Sequence, residues 1–272
     1  MASKIAVYDT GHEIADTVAQ SLLGGLPDSL LIEAKTPLPF ADAHIAYGIL
    51  RGTAEIFKLA EHWLNVDRGY FNPGHFDGYY RISYKGTQAK YDPAFSIAKE
   101  FEGEFDSIRT DGKYIMICPP TQYVCDFFNI DLQDWLRKAQ SKVVDGWVRW
   151  KDDKFEIPWD KLKAVITFNS SVGWEAIRRG IPCLSNTQHS VVGSYYNTNF
   201  LDEVIEMFNT MPRKPLFDFM RSHQFTLKEI EQGQACQLIN HYLSKFMSGS
   251  TGGKPSLVTS QVTRFCAGQN PK

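Results

Sequence analysis

The sequence predicts an α/β fold in which strands and helices alternate and build two layered halves. Three observations lead to this prediction. Short β-branched or apolar runs, typical of buried strands, recur along the chain. Segments with helical spacing separate these runs, and Gly, Pro or charged residues mark most of the junctions. Because such alternation is typical of domains with a mainly parallel sheet, we expect ligands to gather where the strands end.

The first half is predicted to contain four short strands, at residues 4–8, 29–33, 43–47 and 64–67. A helix at residues 14–23 ends at Gly24, and another runs from Thr53 to about His62. Four polar residues follow predicted strand ends, namely Asp9, His12, Arg51 and Asp67. Side chains in such positions can converge on one ligand.

An aromatic and Gly-rich stretch follows at residues 67–81. It is too polar for a core strand and too aromatic for a disordered loop. It is therefore either a packed structural flap or a binding surface, and the sequence leaves both interpretations open. A strand is predicted at residues 82–84, whereas residues 88–109 have no pattern that predicts an element.

The second half repeats the alternation. Strands are predicted at residues 114–118, 146–150, 165–168 and 181–184, and helices at residues 121–139, 173–179, 201–211 and 226–246. Thr226 and Glu229 have the spacing of a capping box at the start of the last helix. The predicted domains are residues 1–110 and 111–246, two Rossmann-like halves that face a cleft. Residues 247–272 are predicted to be a mobile basic tail, either solubilising or in contact with nucleic acid.

Composition and missing motifs narrow the function classes. The chain has 272 residues and a formal net charge of −2, which argues against a generally basic surface. It has no Walker A sequence, no GxGxxG after the first strand, and no HExxH or GxSxG. The seven histidines lack metal-ligand spacing, and five scattered cysteines are typical of reduced thiols. With no signal peptide and no membrane-spanning run, we expect a cytoplasmic protein.

Residues 165–185 carry the strongest chemical signal. A predicted strand leads through the polar turn Asn169-Ser170-Ser171 into a short helix that holds Glu175. Free N–H groups at a helix start attract anions, and Glu175 is placed to bind a sugar hydroxyl. Pro120, Thr121, Arg149 and Lys151 follow the neighbouring predicted strands, so they can reach the same ligand. Alternatively, the serines only cap the helix and Glu175 lies on the surface.

Residues 169–182, NSSVGWEAIRRGIP, resemble the donor-binding segment of GT-B glycosyltransferases, in particular the capsule-polysaccharide and Kdo-transferase-like group. Residues 148–151 are similar to the R-x-[KH]-P element of that group, with Asp152 in place of the proline. Residues 117–121 resemble the loop that opens the donor domain. The resemblance covers roughly residues 112–190. The run Asp-Arg-Gly-Tyr-Phe at residues 67–71 resembles phage-encoded glycosyltransferase-like proteins, some of which modify hydroxymethylated DNA bases.

The resemblance implies a metal-independent enzyme that moves a sugar from a nucleotide-sugar co-substrate to a hydroxyl acceptor, with no cofactor. The implied donor-binding residues are Pro120, Thr121, Arg149, Lys151, Ser170, Ser171 and Glu175. For the general base, Asp67 is the first choice and Asp9 or His12 are alternatives. Asp67 could equally form a salt bridge with Arg68 or Arg81.

The acceptor side is expected to use Arg51, Arg68, Tyr70, His75 and Arg81. These residues could stack on and pair with an extruded DNA base, and they could equally line a sugar site. The expected acceptor is a hydroxymethylated pyrimidine in phage DNA, which would place the protein in the host cytoplasm. A surface-polysaccharide transferase and a non-catalytic nucleotide- or glycan-binding module are the alternatives.

Overall fold

The protein is an α/β protein that forms two compact units, as a computed structural model shows. The structure describes residues 4–33, 41–49, 52–95, 97, 99–109 and 111–247. Unit 1 comprises Met1–Thr87 and Ser222–Lys272, and unit 2 comprises Gln88–Arg221. The predicted tail lies outside the described residues from residue 248 onward.

The strands of the described residues, in chain order, are β1 (Ile5–Asp9), β2 (Leu30–Glu33), β3 (Ala43–Tyr47), β4 (Trp63–Arg68), β5 (Tyr79–Tyr84), β6 (Tyr114–Cys118), β7 (Gly146–Val148), β8 (Leu162–Thr167), β9 (Cys183–Leu184) and β10 (Gln224–Thr226). The helices are α1 (Glu13–Gly25), α2 (Ala54–Leu59), α3 (Gln122–Phe128), α4 (Leu132–Gln140), α5 (Val172–Arg178), α6 (Val191–Tyr196), α7 (Leu201–Thr210), α8 (Lys214–Ser222), α9 (Leu227–Glu231) and α10 (Cys236–Met247). A short 3₁₀ helix spans Trp159–Lys161.

Unit 1 is built on a six-stranded mixed sheet with the order β10-β5-β4-β3-β1-β2. Strands β1 to β4 are parallel to one another, whereas β5 is antiparallel to both β4 and β10. The apolar alternation of the sequence buries Ile5, Ile45, Leu64 and Ile82 completely or nearly so. The parallel part agrees with the sequence prediction, and the antiparallel edge was not predicted.

Unit 2 is built on a four-stranded parallel sheet with the order β7-β6-β8-β9. Its central strands β6 and β8 are apolar over most of their length. Met116, Ile117, Val165 and Ile166 are buried there. The four described cysteines are all buried, namely Cys118, Cys125, Cys183 and Cys236.

The predicted domain boundaries differ from the compact units. Unit 1 ends at Thr87, not at residue 110, and it regains the chain at Ser222. The return is explained by pairing of β10 with β5, in which Phe225 lies opposite Tyr80. The described part of residues 88–109 belongs to unit 2, where the ring of Phe105 packs on Phe217.

Two predicted helices are each broken into two. Residues 121–139 form α3 and α4, because Asn129 adopts a left-handed backbone conformation and Asp131 then caps α4 through the backbone N–H of Asp134. The predicted last helix forms α9 and α10, with Gly233 at φ 77° between them. The capping box of Thr226 and Glu229 is confirmed. None of the described helices is long and apolar enough to cross a membrane.

Candidate functional site

The sheet of unit 2 reverses its strand order between β6 and β8. From β6 the chain forms β7 on one side, and then returns to form β8 and β9 on the other side. In open α/β sheets, ligands bind outside the carboxyl ends of the strands at such a reversal. Cys118 ends β6 and lies in register with Thr167, which ends β8. The loops that begin at Pro119 and Phe168 therefore start side by side.

The turn after β8 is held by hydroxyl groups. The Thr167 hydroxyl donates to the Cys118 carbonyl at 2.9 Å and accepts the Ser170 N–H at 3.3 Å. The Ser170 hydroxyl in turn accepts the N–H of Val172 at 3.3 Å, so Ser170 caps the start of α5. Ser171 is exposed and its side chain makes no capping hydrogen bond. One serine of the pair is therefore structural, and the other presents its hydroxyl to solvent.

Glu175 lies on the half-exposed face of α5. Its carboxylate accepts from the Nη2 and Nε atoms of Arg179 at 3.1 and 3.2 Å. The Arg179 guanidinium in turn lies 4.8 Å from the centroid of the Trp159 ring. Glu175 is thus held in place on the surface, with 45% of its side chain exposed.

The loop after β6 begins with buried Pro120 and continues into α3 through half-buried Thr121. Thr121 occupies the N-cap position in an extended conformation, but its hydroxyl makes no capping hydrogen bond. Because Ser and Thr usually cap helices through the side chain, this hydroxyl remains available for another partner.

Arg149 supplies a cation at the end of β7. Its backbone N–H donates to the carbonyl of Ile117 in β6 at 2.9 Å, so the Arg149 side chain starts beside the loop that follows β6. Its Nη2 donates to the Asp153 carbonyl at 3.5 Å, and the guanidinium lies 6.0 Å from the Phe155 ring centroid. Within the described part of the chain, the buried Nε of Arg149 has no hydrogen-bond partner. Lys151 is exposed on the turn that follows.

The charge of Arg149 also reaches the end of β6. Burial raises the pKa of the Cys118 thiol to about 11, while the nearby positive charge of Arg149 opposes this increase. A buried guanidinium nitrogen without a partner costs free energy unless an anion or a water satisfies it. Among the described residues expected at the donor site, Arg149 is the one with a buried cationic nitrogen that lacks a partner.

Gln88 orients the turn after β8, although its sequence context predicted no element. The side chain is only 4% exposed. Its Nε2 donates to the carbonyl of Asn169, and its Oε1 accepts the N–H of Val191 at 3.0 Å. Gln88 thus ties the Asn169 turn to the start of α6. A lone Gln in an irregular segment gives no signal for such a role.

His189 is a second residue near this turn that sequence reasoning did not assign. Its ring lies 4.1 Å from the ring of Phe128 and 5.5 Å from that of Phe168, the first residue after β8. Burial lowers the pKa of His189, and the charge of Lys90 lowers it further. The imidazole is therefore neutral at pH 7 and can accept a proton.

Unit 1 has its own reversal of strand order, between β1 and β3. Asp9 ends β1, and its carboxylate accepts the N–H of Gly11 at 2.8 Å. A hydrogen bond between the carboxyl groups of Asp9 and Asp16 lowers the pKa of Asp9 and raises that of Asp16. His12 is exposed at the N-cap of α1 and its side chain caps nothing.

Asp67 is fixed by Arg81, which was one of the alternatives that the sequence left open. Its Oδ2 lies 2.6 Å from Arg81 Nη2, and its Oδ1 accepts the N–H of Arg68 at 2.8 Å. The other two nitrogens of Arg81 donate to the carbonyls of Thr87 and Arg68. Since every guanidinium nitrogen is engaged and the side chain is only 11% exposed, Arg81 positions Asp67.

The remaining residues expected on the acceptor side separate by burial. Tyr70 is 4% exposed, with the Arg81 guanidinium 5.4 Å from its ring centroid. His75 is exposed, and its ring nitrogen Nε2 lies 2.8 Å from Arg68 Nη2. Arg51 lies outside the described residues.

The loop between β4 and β5 is packed against its own unit. The N–H of Gly69 donates to Tyr79 at 2.6 Å, and the N–H of Phe71 donates to the Gln224 side chain at 3.0 Å. A Cβ on Gly78 would lie 1.9 Å from the nitrogen of Gly74, so the turn requires glycine there. The loop is therefore a structural flap, and its exposed residues are 72–73 and 75–77.

Neither a metal-binding cluster among the described residues nor a matching relative points to a function. The described residues contain no group of three or more His, Cys, Asp or Glu side chains that could hold a metal ion. Comparison of the sequence with known protein families and with curated proteins finds no match. The features that bear on function are therefore the ends of the parallel strands and the residues beside them.

Proposed function

We propose that the chain is a nucleotide-sugar-dependent glycosyltransferase of the GT-B type, with the donor bound by unit 2. The observation that carries this proposal is the strand-order reversal between β6 and β8. It sets the Pro120-Thr121 loop beside the Asn169–Ser171 turn, through the register of Cys118 with Thr167. Arg149 follows Val148, which pairs with Ile117 of the same β6 strand.

The donor phosphates are the groups that these residues suit best. Arg149 offers a buried nitrogen that lacks a partner among the described residues, and Thr121 and Ser171 offer hydroxyl groups that cap no helix. Charge-assisted hydrogen bonds of this kind stabilise the negative charge that develops on a departing nucleotide phosphate. Lys151 is exposed, and Glu175 is half-exposed and paired with Arg179, so we place both at the edge of the donor site.

Asp67 is the proposed general base for the acceptor hydroxyl. Its carboxylate is 35% exposed, so it can be reached from solvent, and Arg81 fixes its orientation. Asp9, whose carboxylate accepts the N–H of Gly11, is the alternative base in the same unit, and His12 is a further alternative. The GT-B arrangement, in which the two halves face a cleft, is part of this proposal.

The proposed acceptor is a hydroxymethylated pyrimidine in phage DNA, and a surface polysaccharide is the alternative. Arg68 and His75 form an exposed polar pair on the flap, where a phosphate or sugar of the acceptor can bind. The net charge of −2 means that any DNA contact is local.

One observation favours a second candidate, a non-catalytic nucleotide- or glycan-binding module. Both carboxylate oxygens of Asp67 are already engaged, Oδ2 by Arg81 at 2.6 Å and Oδ1 by the N–H of Arg68 at 2.8 Å, so neither is held ready for an acceptor hydroxyl. A binding module needs the unit 2 site but has no need of a base in unit 1.

A thermal-shift panel of UDP-, CMP-, GDP- and ADP-linked sugars tests the proposal. We expect one nucleotide class to raise the melting temperature, because a ligand that binds only the folded state stabilises it. Hydroxymethylpyrimidine DNA incubated with that donor is then expected to gain the mass of one sugar per modified base. A shift without product would favour the binding module or the polysaccharide acceptor, and no shift with any nucleotide sugar would refute the transferase.

A further inference from the structure

Unit 2 contains a cavity of about 360 Å³ at the carboxyl ends of β8 and β9. Its wall is formed by the last turn of α4 and the residues after it, and its floor by the two strand ends. The lining residues are Trp135, Lys138, Ala139, Ser141, Lys142, Ile166, Thr167, Leu184, Ser185, Asn186 and Asn199. None of the residues assigned to the donor site lines this cavity.

The rim of the cavity is cationic. Lys142 donates from Nζ to the carbonyl of Asn199 at 2.8 Å, which links the end of α4 to the segment before α7. Because a carbonyl is uncharged, the positive charge of Lys142 is not neutralised and two of its N–H groups remain. Lys138, by contrast, lies 2.6 Å from Asp134 and is largely compensated. An anionic group therefore has one strong partner at the rim.

The floor of the cavity presents hydrogen-bond acceptors and one amide N–H donor group. The hydroxyl of Ser185, which is 5% exposed, donates its only proton to the carbonyl of Phe168 at 2.9 Å, so it offers lone pairs to a ligand. Asn186 uses Oδ1 to accept the N–H groups of Gln188 and His189. In the part of the chain that the structure describes, the Nδ2 of Asn186 makes no hydrogen bond.

Trp135 adds an aromatic wall to these polar groups. Aromatic side chains pack against flat rings and against the apolar faces of sugars. A volume of about 360 Å³ is at the small end of ligand sites, enough for a nucleoside or a hexose with one phosphate. It is too small for a complete nucleotide sugar, which carries a base, a ribose and a second sugar ring.

We propose that this cavity binds a small monophosphate whose ring carries N–H or O–H donors, with the phosphate on Lys142 and the ring between Trp135 and Ser185. A nucleoside 5′-monophosphate and a hexose 1-phosphate both have this chemistry. The site does not depend on the proposed function. A protein that transfers no sugar would still bind the monophosphate, and a protein that fails to bind it could still be a transferase.

Isothermal titration of the full chain tests the site. The ligands are UMP, CMP, AMP, GMP and glucose 1-phosphate, with orthophosphate as the ligand that lacks a ring. We expect one nucleotide or the hexose phosphate to bind at least about tenfold more tightly than orthophosphate, and which of them binds identifies the source of the ring. Equal binding of orthophosphate, or no heat from any ring-bearing ligand at millimolar concentration, would overturn the proposal.

Variants locate the binding. Lys142→Ala is expected to weaken the monophosphate by about tenfold, because a charge-assisted hydrogen bond is lost. Lys163→Ala removes an exposed lysine of β8 that does not line the cavity, and it is expected to leave the affinity within about twofold. Trp135→Leu is expected to reduce ring-bearing ligands to the affinity of orthophosphate. Equal effects of Lys142→Ala and Lys163→Ala would overturn the assignment of the cavity.

Discussion

The two units differ in how their charged residues are used. In unit 1, Asp67 is paired with Arg81, Asp9 interacts with Asp16, and Arg68 contacts His75. In unit 2, the buried Nε of Arg149 lacks a partner among the described residues. The difference suggests a division of roles, because prepaired charges position groups whereas an unpaired cation attracts an anion.

The largest effect is expected from Arg149→Ala. Removal of the guanidinium should lower the rate of sugar transfer by about 100-fold, the size seen when one donor to a developing negative charge is lost. It should also abolish the thermal shift caused by the nucleotide sugar. The matched control is Arg137→Ala, which removes an exposed arginine paired with Asp134.

Equal rates of sugar transfer in Arg149→Ala and Arg137→Ala would contradict the contrast between the two units. Transfer that survives both substitutions would mean that the Arg149 guanidinium is not used.

Arg81→Met tests the opposite character of unit 1. The change leaves Asp67 and the carbonyls of Arg68 and Thr87 without their donor. We expect the free energy of unfolding in urea to fall by about 2 kcal/mol, below the cost for a fully buried pair because Asp67 still reaches water. Lys58→Ala, which breaks an exposed pair with Glu55, should change it by less than about 0.5 kcal/mol.

A loss below about 0.5 kcal/mol in Arg81→Met would show that the ion pair does not hold the β4–β5 edge. Asp67 would then be free to act on its own.

Gln88→Leu is expected to have an intermediate effect. The N–H of Val191 and the carbonyl of Asn169 lose their partner, which should cost about 1–3 kcal/mol of stability. Since the Asn169 turn would lose its support, binding of the nucleotide sugar should also weaken. Gln234→Leu, whose side chain bonds Gln232 at an exposed site, is the control. Unchanged nucleotide-sugar binding in Gln88→Leu would show that the Asn169 turn does not contribute to the donor site.

The smallest effect is expected for Asp16→Asn, measured as stability against pH. The folded-state pKa of Asp16 is raised, so its favourable contribution exists below the ordinary carboxyl pKa and is lost as pH rises through the folded value. The variant should therefore lose less stability than the parent between acidic and neutral pH. A steeper loss in the variant would contradict a raised pKa of Asp16.

Local patterns in the sequence predicted much of this fold. The predicted strands at residues 43–47 and 114–118 agree with β3 and β6, because apolar β-branched runs between polar residues are buried on both faces. The capping box at Thr226 also follows from side chains only three residues apart. The α/β class follows from the same local signals.

Long-range partners could not be predicted in the same way. The pairing of β10 with β5, and the bonds of Gln88 to Asn169 and Val191, depend on residues that only the fold brings together. The break at Asn129 had a readable signal, since Asn tolerates a left-handed conformation and Asp131 is a good cap. The ion pair of Asp67 with Arg81 was foreseen only as one alternative.

Hydrogen–deuterium exchange with the nucleotide sugar found by the thermal-shift panel tests the central claim most directly. We predict that the ligand slows exchange in the loop after β6 and in the turn after β8, at residues 119–122 and 168–173. The Arg149→Ala variant should lose this protection. Protection confined to the ends of β1 and β4 in unit 1, with residues 119–122 and 168–173 unchanged, would contradict the assignment of the donor site to unit 2.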